Sequence, residues 1–146
     1  MDARVFHQHG FVRLAAVAGA TQRVQLGTAI AYAFMRTTLL AASAAMDLDE
    51  ISDGRVILGL GSGTRSMNEK WYSVPFDKPP VPRMREAVAL VRAAFDAREG
   101  EGLHFAGDHY EVHIPQFTRP GATRPAIPSG LGTYLRSRRP PPMKEK

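Results

Sequence analysis

The feature that most constrains the fold is an apolar segment that begins directly after a helix stop signal. Residues 52–54, Ser-Asp-Gly, form the stop, and residues 56–60 then read Val-Ile-Leu-Gly-Leu without a polar position. A strand with one solvated face alternates apolar and polar residues, whereas a strand covered on both faces does not. The segment Arg55–Gly61 therefore predicts a buried strand of a parallel α/β sheet.

The residues before this strand supply the alternating elements that a parallel sheet requires. Apolar side chains at helical spacing predict a helix over Phe11–Thr21, and Val24–Ile30 alternates in the manner of a strand. Thr37 or Thr38 is suited to cap a second helix that runs to Ile51. A helix, a strand, a helix and a strand joined by tight connections indicate a parallel α/β sheet.

The chain beyond the buried strand is less regular. Residues Thr64–Pro82 predict a long irregular loop, in which Trp71 and Tyr72 either stack on a flat ligand or close a small core. A third helix is predicted over Arg83–Ala97, because its apolar residues fall on one face. A β-hairpin is predicted over Leu103–Val112, where two alternating segments flank a Gly-Asp turn.

Composition limits both the chemistry and the compartment. The chain has 146 residues and no cysteine, which excludes disulfide scaffolds, thiolate nucleophiles and cysteine-ligated metals. The apolar residues from Val24 reach only Met35 before Arg36 interrupts them, which is too short for a bilayer span. The opening residues also lack the apolar stretch of a signal peptide. We therefore expect a cytoplasmic protein without a membrane partner.

The net charge of +5 belongs to one end of the chain. Residues 119–146 hold seven of the 19 basic side chains and one acidic one, so residues 1–118 are close to neutral. A basic tail on a neutral body affects solubility and association rates rather than forming a recognition surface. We therefore expect no nucleic-acid partner. The same residues are rich in proline, and we expect them to be disordered.

Two glycine-rich segments mark the place where a ligand would bind. Residues 59–64, Gly-Leu-Gly-Ser-Gly-Thr, follow the buried strand, and residues 27–30, Gly-Thr-Ala-Ile, end the other one. The first segment is neither a Rossmann fingerprint, which needs glycine where Thr64 stands, nor a P-loop, and alone it also fits a tight strand exit. Together the two segments predict a backbone-lined wall at the carboxyl ends of parallel strands, where α/β folds bind ligands.

Other polar side chains give weaker indications. His7 and His9 lack a third ligand at a suitable spacing, so no metal site is predicted. No Ser-His-Asp arrangement follows from the spacing, and no catalytic residue is assigned. The remaining candidates are expected to be solvated: Asp47, Asp49 and Glu50 at a helix end, and His104, His109 and His113 in or near the hairpin.

Several of these segments, in their order and spacing, resemble the luciferase-like monooxygenase family. The most specific is residues 48–63, which read Leu-Asp-Glu-Ile-Ser-Asp-Gly-Arg-Val-Ile-Leu-Gly-Leu-Gly-Ser-Gly. The resemblance extends over about residues 11–128 and leans toward the branch that uses the deazaflavin coenzyme F-420, with the FMN-dependent branch as the alternative. The other matching segments are residues 26–30, Arg36, and residues 74–77, 83–86 and 105–110.

The resemblance implies a (β/α)8 barrel that holds a flavin-type ring at the carboxyl ends of its strands. Val24–Ile30 would be the third strand and Arg55–Gly61 the fourth. The implied activity is hydride transfer between F-420 or FMN and a small organic substrate, or oxygen insertion with reduced flavin. The positions that match cofactor contacts are Thr28, Ala29 and Ile30, where family members often have a non-proline cis peptide, and Gly61, Gly63 and Thr64, with Asn68 as a further match.

The chain departs from the family in length. Complete barrels run to about 250 residues, whereas this chain supplies the third and fourth strands, their helices and a hairpin insertion. The first strand, most of the second and the fifth to eighth are expected to be missing, and Thr37-Thr38 stands where the family usually has His-Pro. We therefore predict an α/β fold that is a partial TIM barrel over residues 1–118, followed by a disordered tail over residues 119–146.

A partial barrel leaves strand edges without partners. We therefore expect the chain to form a homo-oligomer or to associate with a complementing barrel fragment. The alternative is a catalytically inactive fragment that acts only as an association module through those edges.

Overall fold

The computed structural model describes residues 9–76, 79–97, 100–116 and 127–131. Helices and strands alternate through the first half of the chain, as the sequence predicts. In chain order the elements are α1 (Gly10–Ala20), β1 (Leu26–Gly27), β2 (Ala31–Tyr32), α2 (Thr38–Ile51), β3 (Val56–Gly61), a π-helix (Met67–Trp71), α3 (Val81–Asp96), β4 (Leu103–Ala106), β5 (Glu111–Ile114) and β6 (Ser129–Leu131).

The main sheet is built around β3, and β1, β2 and β6 all run parallel to it. β1 and β2 lie along the same edge of β3. There the Ile57 and Gly61 carbonyl groups accept hydrogen bonds from the N–H groups of Thr28 and Ala33, which follow β1 and β2. The Leu58 N–H instead donates to Pro128 O (2.9 Å), next to β6. Alternate residues of a strand point their backbone groups to opposite edges, so β3 has neighbours on both sides. β3 is therefore the central strand of the sheet that these elements form.

The edge strand extends beyond the predicted Val24–Ile30 and is divided into two short pieces. β1 ends at Gly27, and β2 begins only at Ala31. Between the two paired stretches this edge strand advances one residue further than β3 does. One extra residue on one strand is a β-bulge, which interrupts the hydrogen-bond ladder locally.

The helices cover one face of the main sheet. α1 packs against α2, and α2 packs against both α3 and β3. Val56, Leu58 and Leu60 face the helices and are buried against the apolar side chains of those helices. Ile57 points to the other face and is 39% exposed, so the cover expected on both faces of β3 is incomplete on this face. The hydrophobic core of the described residues therefore lies between the sheet and its helices.

Both ends of α2 are formed by the residues that the sequence indicates. The Thr37 hydroxyl accepts a hydrogen bond from the Leu40 N–H (3.3 Å) and so caps the first turn. Asp53 and Gly54 follow the last turn with positive φ angles of 53° and 76°. Neither α2 nor any other helix in the described part of the chain has the length and apolar character needed to cross a bilayer.

Asp49 is buried, so the prediction that it lies on a solvated helix end is wrong. Its carboxylate accepts a hydrogen bond from the Val56 N–H (3.2 Å) at the start of β3. Its neighbours Asp47 and Glu50 are exposed, as predicted. Asp49 therefore joins the end of α2 to β3, which is a structural role for one residue of the 48–63 motif.

Arg55 joins the same strand to α1. Its guanidinium donates hydrogen bonds to the backbone oxygens of Ala18, Thr21 and Val24, at 2.8–3.0 Å, and to the Thr21 hydroxyl at 3.0 Å. Its Nε–H donates to the Ser52 carbonyl oxygen. The arginine thereby satisfies carbonyl groups at the end of α1, which have no partner within a helix.

Two other predictions from the sequence are corrected. The loop predicted over Thr64–Pro82 contains the π-helix, because Asn68 and its neighbours continue the chain helically after β3. Within the predicted tail, Ser129–Leu131 pairs with β3 as β6, and Ile127 is buried in the core. The sheet therefore continues beyond the two core strands predicted. The other residues of that tail, 119–126 and 132–146, lie outside the described residues.

β4 and β5 form the predicted antiparallel hairpin, which is attached to α3. The Glu86 carboxylate accepts hydrogen bonds from the N–H groups of Asp108 (3.2 Å) and His109 (2.8 Å) in the turn. The Arg83 guanidinium lies 4.5 Å from the centre of the Phe34 ring and donates to the Tyr110 hydroxyl (3.3 Å). The matching segments 83–86 and 105–110 thus contact one another.

These hydrogen bonds predict an acid-dependent attachment of the hairpin. The His109 N–H, aided by the Asp108 N–H, lowers the pKa of Glu86 below its ordinary value of 4.5. A carboxyl whose pKa is lower in the folded state stabilises the fold above its unfolded pKa, and this contribution is lost as the pH falls through the folded pKa. We expect Glu86→Gln to remove that part of the stability loss below about pH 4.5.

The measurement is the free energy of unfolding of the parent chain and the variant, from urea titrations at several pH values. The exposed carboxylate Glu111 lies on the same hairpin, and Glu111→Gln should leave the parental profile in place. If the free energy of unfolding fell with pH in the same way for the parent chain and for Glu86→Gln, the turn would not depend on this carboxylate.

Candidate functional site

The two glycine-rich segments lie side by side at the carboxyl ends of parallel strands. Tyr32 pairs with Gly61 where β2 and β3 end, and the Thr28 N–H donates to Ile57 O (3.2 Å) just before the bulge. We call residues 27–32 together with residues 59–64 the rim. The prediction that these segments are neighbouring parts of one parallel wall is confirmed.

The Thr28 side chain closes the gap that the bulge leaves in the ladder. Its hydroxyl donates to Gly59 O (2.7 Å) and accepts from the Gly59 N–H (2.9 Å). Both backbone groups of Gly59 are thus satisfied by a side chain in place of a strand. Because a hydroxyl has a single proton, Thr28 has no side-chain donor left for a ligand.

This arrangement predicts a stability effect for Thr28. Thr28→Val keeps the shape but leaves both Gly59 groups without these bonds, and we expect a loss of about 1–3 kcal/mol in the free energy of unfolding. Thr28→Ser keeps the hydroxyl and should lose far less. Denaturant unfolding without any ligand measures both variants. Equal stability of the valine variant and the parent chain would mean that the hydroxyl has no structural role.

Ile30 and Gly61 fit together across the rim. The peptide bond between Ala29 and Ile30 is cis, at the position where the family resemblance implies one. A Cβ atom at Gly61 would overlap the Ile30 Cδ1 atom. A side chain at position 61 would therefore displace the Ile30 side chain from the end of β3.

The loop after β3 is held by Asn68, which is fully buried. Its side-chain amide donates to the backbone oxygens of Ser62 (2.9 Å) and Thr64 (2.8 Å). Gly63 lies between them with a φ of 69°, and a Cβ there would be 3.2 Å from both the Asn68 amide nitrogen and the Tyr32 ring. Asn68 thus orders the loop from within, and its Oδ1 has no hydrogen-bond partner in the described part of the chain.

Two features leave the rim open to a ligand. Ala29 is exposed and Ile30 partly so, which presents a small apolar surface. Among the bonds of the described residues, none uses the N–H groups of Gly63 and Thr64, and the Thr64 hydroxyl accepts from the Met67 N–H (3.2 Å). The rim therefore offers an apolar support and backbone donors, which a planar heterocycle with a polar edge requires.

Residues that the sequence did not assign also lie at this end of the sheet. Tyr32 lies against Gly63, as does the Met35 side chain. The strand register could have indicated Tyr32, since it pairs with Gly61, but Met35 lies beyond any strand. His9 immediately precedes α1, and the centre of its ring lies 6.1 Å from the centre of the Phe11 ring. The Arg36 guanidinium lies over the same Phe11 ring, 5.5 Å from its centre. His9 is therefore near the segment that joins β2 to α2.

Trp71 and Tyr72 do not close a small core. Trp71 is 48% and Tyr72 36% exposed at the end of the π-helix, so that alternative is wrong, whereas stacking on a ligand stays a prediction. His7 lies outside the described residues. No group of three or more His, Cys, Asp or Glu side chains suited to a metal ion occurs among residues 9–76, 79–97, 100–116 and 127–131.

A parallel sheet with helices on its outer face and a glycine-rich rim at its carboxyl ends defines part of a (β/α)8 barrel. Residues 4–134 match the family model of the luciferase-like monooxygenases. The chain belongs to this family. The expectation taken from its sequence segments is thereby confirmed.

A relative from Mycobacterium tuberculosis, provisionally named a coenzyme F420-dependent oxidoreductase, is 37% identical over 134 residues, which are 92% of this chain and 35% of the relative. The coenzyme F420-dependent tetrahydromethanopterin reductase of Methanopyrus kandleri superposes with a TM-score of 0.72 at 21% identity, over 86% of this chain and 39% of that one. The FMN complex of a type II Baeyer–Villiger monooxygenase of Pseudomonas putida gives 0.69 at 14% identity, over 84% and 37%.

These comparisons agree on the fold and on the extent of the chain. The solved structures are TIM barrels of the luciferase-like type, so the α/β sheet described above is part of that barrel. The chain spans about a third of the length of the relatives that it matches. Its family consists of flavin- and F420-dependent oxidoreductases.

Proposed function

We propose that this chain forms the ring-binding wall of an oxidoreductase that uses the deazaflavin coenzyme F-420. The single observation that carries the proposal is the rim, where an exposed apolar support at Ala29 and Ile30 adjoins the N–H donors of Gly63 and Thr64. The relative that is 37% identical over 92% of the chain favours F-420 over FMN.

Each residue of the rim has a distinct task in this proposal. Ala29 and Ile30 support one face of the ring, and the N–H groups of Gly63 and Thr64 donate to its polar edge. Gly61 contributes by its lack of a side chain, since it lets Ile30 lie close. Thr28 acts through Gly59 and not through its own hydroxyl, which is already engaged.

The bound cofactor would supply hydride transfer to or from a small organic substrate. The chain's own contribution is to hold one face of the ring against a rigid support, which leaves the opposite face for the substrate. Trp71 and Tyr72 are placed on the segment that follows the rim, where exposed aromatic rings are suited to contact an apolar substrate.

The proposal is tested by adding F-420 and FMN separately to the purified chain, with cofactor fluorescence and Tm as readouts. We expect F-420 to bind and to raise Tm, because a ligand that binds only the folded state stabilises it, by about 2.7 kcal/mol at 100 times its Kd. Ala29→Asp places a charge on the apolar support and should abolish binding.

Ala106→Asp is the matched control, because Ala106 is also exposed but lies on the hairpin. It should bind F-420 as the parent chain does. Binding of FMN alone would make FMN the cofactor. Equal binding by the Ala29→Asp variant and its control would contradict the assignment of the rim, and binding of neither cofactor would contradict the proposed function.

A second candidate function is an association module without cofactor chemistry. It is favoured by Ile57, an apolar residue that remains 39% exposed on the sheet face that the helices do not cover. In a complete barrel such inward-facing side chains fill the interior in layers. A second copy of the chain or a complementing barrel fragment would cover them.

Light scattering after size exclusion, with and without F-420, separates the two candidates. Ile57→Asp should disperse assemblies that are held together through this face. Assemblies that form without any cofactor binding would favour the association module. A monomer that binds F-420 would contradict it.

A further inference from the structure

Two histidines face each other across the outer side of the hairpin. His104 pairs with His113 in the antiparallel ladder, and both side chains are exposed. Their Nδ1 atoms are 2.8 Å apart. Two exposed imidazole nitrogens therefore lie within hydrogen-bond distance of each other on the surface of the hairpin.

The hairpin brings these rings together through its register. The Gly107 N–H donates to Tyr110 O (2.9 Å) beside the turn, which makes residues 107 and 110 a hydrogen-bonded pair. Such pairs alternate with non-hydrogen-bonded ones along an antiparallel ladder, and the latter bring their side chains closer. Counting from the turn, His104 and His113 form a non-hydrogen-bonded pair.

Gly102 leaves room for the ring of His104. A Cβ atom at Gly102 would lie 2.6 Å from the His104 Nε2 atom. The missing side chain thus provides the room that the Nε2 side of the ring occupies. The Nδ1 atom is left on the side of His113.

We infer that His104 and His113 form a binding site for a copper(II) ion. Imidazole nitrogens bind transition metals at about 2.0–2.1 Å, and two nitrogens 2.8 Å apart then subtend about 85–90° at the metal. That angle fits adjacent positions of a square-planar or tetragonal copper(II) ion, whereas tetrahedral zinc needs nitrogens about 3.3 Å apart. Each ring would bind the ion through an unprotonated Nδ1 atom and carry its proton on Nε2.

The other coordination positions of the ion would be filled by water. No further His, Cys, Asp or Glu completes a group of three with this pair among the described residues. Copper(II) is the first-row divalent ion with the highest affinity for nitrogen ligands, so two imidazoles suffice for it where weaker ions need more. The site lies on the hairpin, apart from the rim, and does not depend on the proposed function.

The test is a titration of the full chain, freed of any oligohistidine tag, with copper(II) against glycine as a competing chelator. We expect one tight ion per chain, with an electron paramagnetic resonance spectrum that shows two equivalent nitrogen ligands. His104→Gln and His113→Gln should each weaken binding at least about tenfold, because two linked ligands bind far more tightly than one. The double variant keeps neither ligand and should lose the tight ion altogether.

His109→Gln is the control, since His109 is exposed in the same hairpin and its contact with Glu86 uses only the backbone. It should bind copper(II) as the parent chain does, and circular dichroism checks that every variant is folded. Copper binding that survives in the double variant, or that falls equally in the control, would overturn the proposal. A spectrum with a single nitrogen ligand in the parent chain would also overturn it.

Discussion

Gly59→Ala will destabilise this chain strongly, whereas Gly19→Ala will not. A Cβ atom at Gly59 would overlap the backbone carbonyl oxygen of Thr28. A side chain could rotate away from such an overlap, but a backbone oxygen moves only if the edge strand moves. The Thr28 hydroxyl bonds to both backbone groups of Gly59, so the same movement would break them as well.

We expect a loss of about 3 kcal/mol in the free energy of unfolding, at the upper end of what overpacking usually costs. In a domain of this size that loss lowers Tm by about 10 °C. Gly19 lies on the exposed side of α1 with no atom within 4 Å of an added Cβ. Alanine there should stabilise the helix by up to about 1 kcal/mol. Equal Tm values for the two variants would contradict the close approach at Gly59.

Arg55→Met will have an effect of similar size for a different reason. The guanidinium donates to four backbone carbonyl groups in α1, the segment after it and the end of α2. Methionine keeps the length and apolar stem of the side chain but donates to none of them. Hydrogen bonds to a charged group contribute about 1.5–3 kcal/mol each at most, and several are lost together. We expect a net loss of about 3 kcal/mol, because water replaces some of them.

Arg55→Lys separates charge from geometry. Lysine keeps the positive charge, but a single ammonium group cannot reach carbonyl groups on both sides as a planar guanidinium does. We expect it to recover only a small part of the loss, as measured by urea unfolding. Arg92→Met, at an exposed position of α3, is the control and should change little. A lysine variant as stable as the parent chain would show that charge alone matters.

These variants bear on the meaning of the 48–63 motif. Asp49 and Arg55 are polar residues of the motif, and both bind backbone groups that join α1, α2 and β3. Gly59 is required by the close approach of the Thr28 carbonyl oxygen, and Gly61 leaves room for the Ile30 side chain. Most of the motif therefore builds the wall, and only its end, around Gly63, faces a ligand in the proposed function.

The sequence predicted the frame of the fold because the relevant signals are local. The uninterrupted apolar sequence of β3 is typical of a strand inside a parallel sheet, Thr37 caps its own helix, and Gly54 adopts the positive φ that ends it. The sequence also predicted that the two glycine-rich segments are neighbours, because each follows a strand of the parallel sheet. Parallel strands that are adjacent in a sheet end at the same edge.

Only the tertiary structure decided the features that depend on a distant partner. The division of the edge strand into β1 and β2 depends on the Thr28 hydroxyl reaching Gly59, 31 positions along the chain. Asp49 is buried because the Val56 N–H meets it, although its neighbours Asp47 and Glu50 are solvated. β6 is three residues long and forms because β3 offers it an edge. Local patterning reports which face of an element is apolar, whereas a hydrogen bond between distant residues exists only once the chain has brought them together.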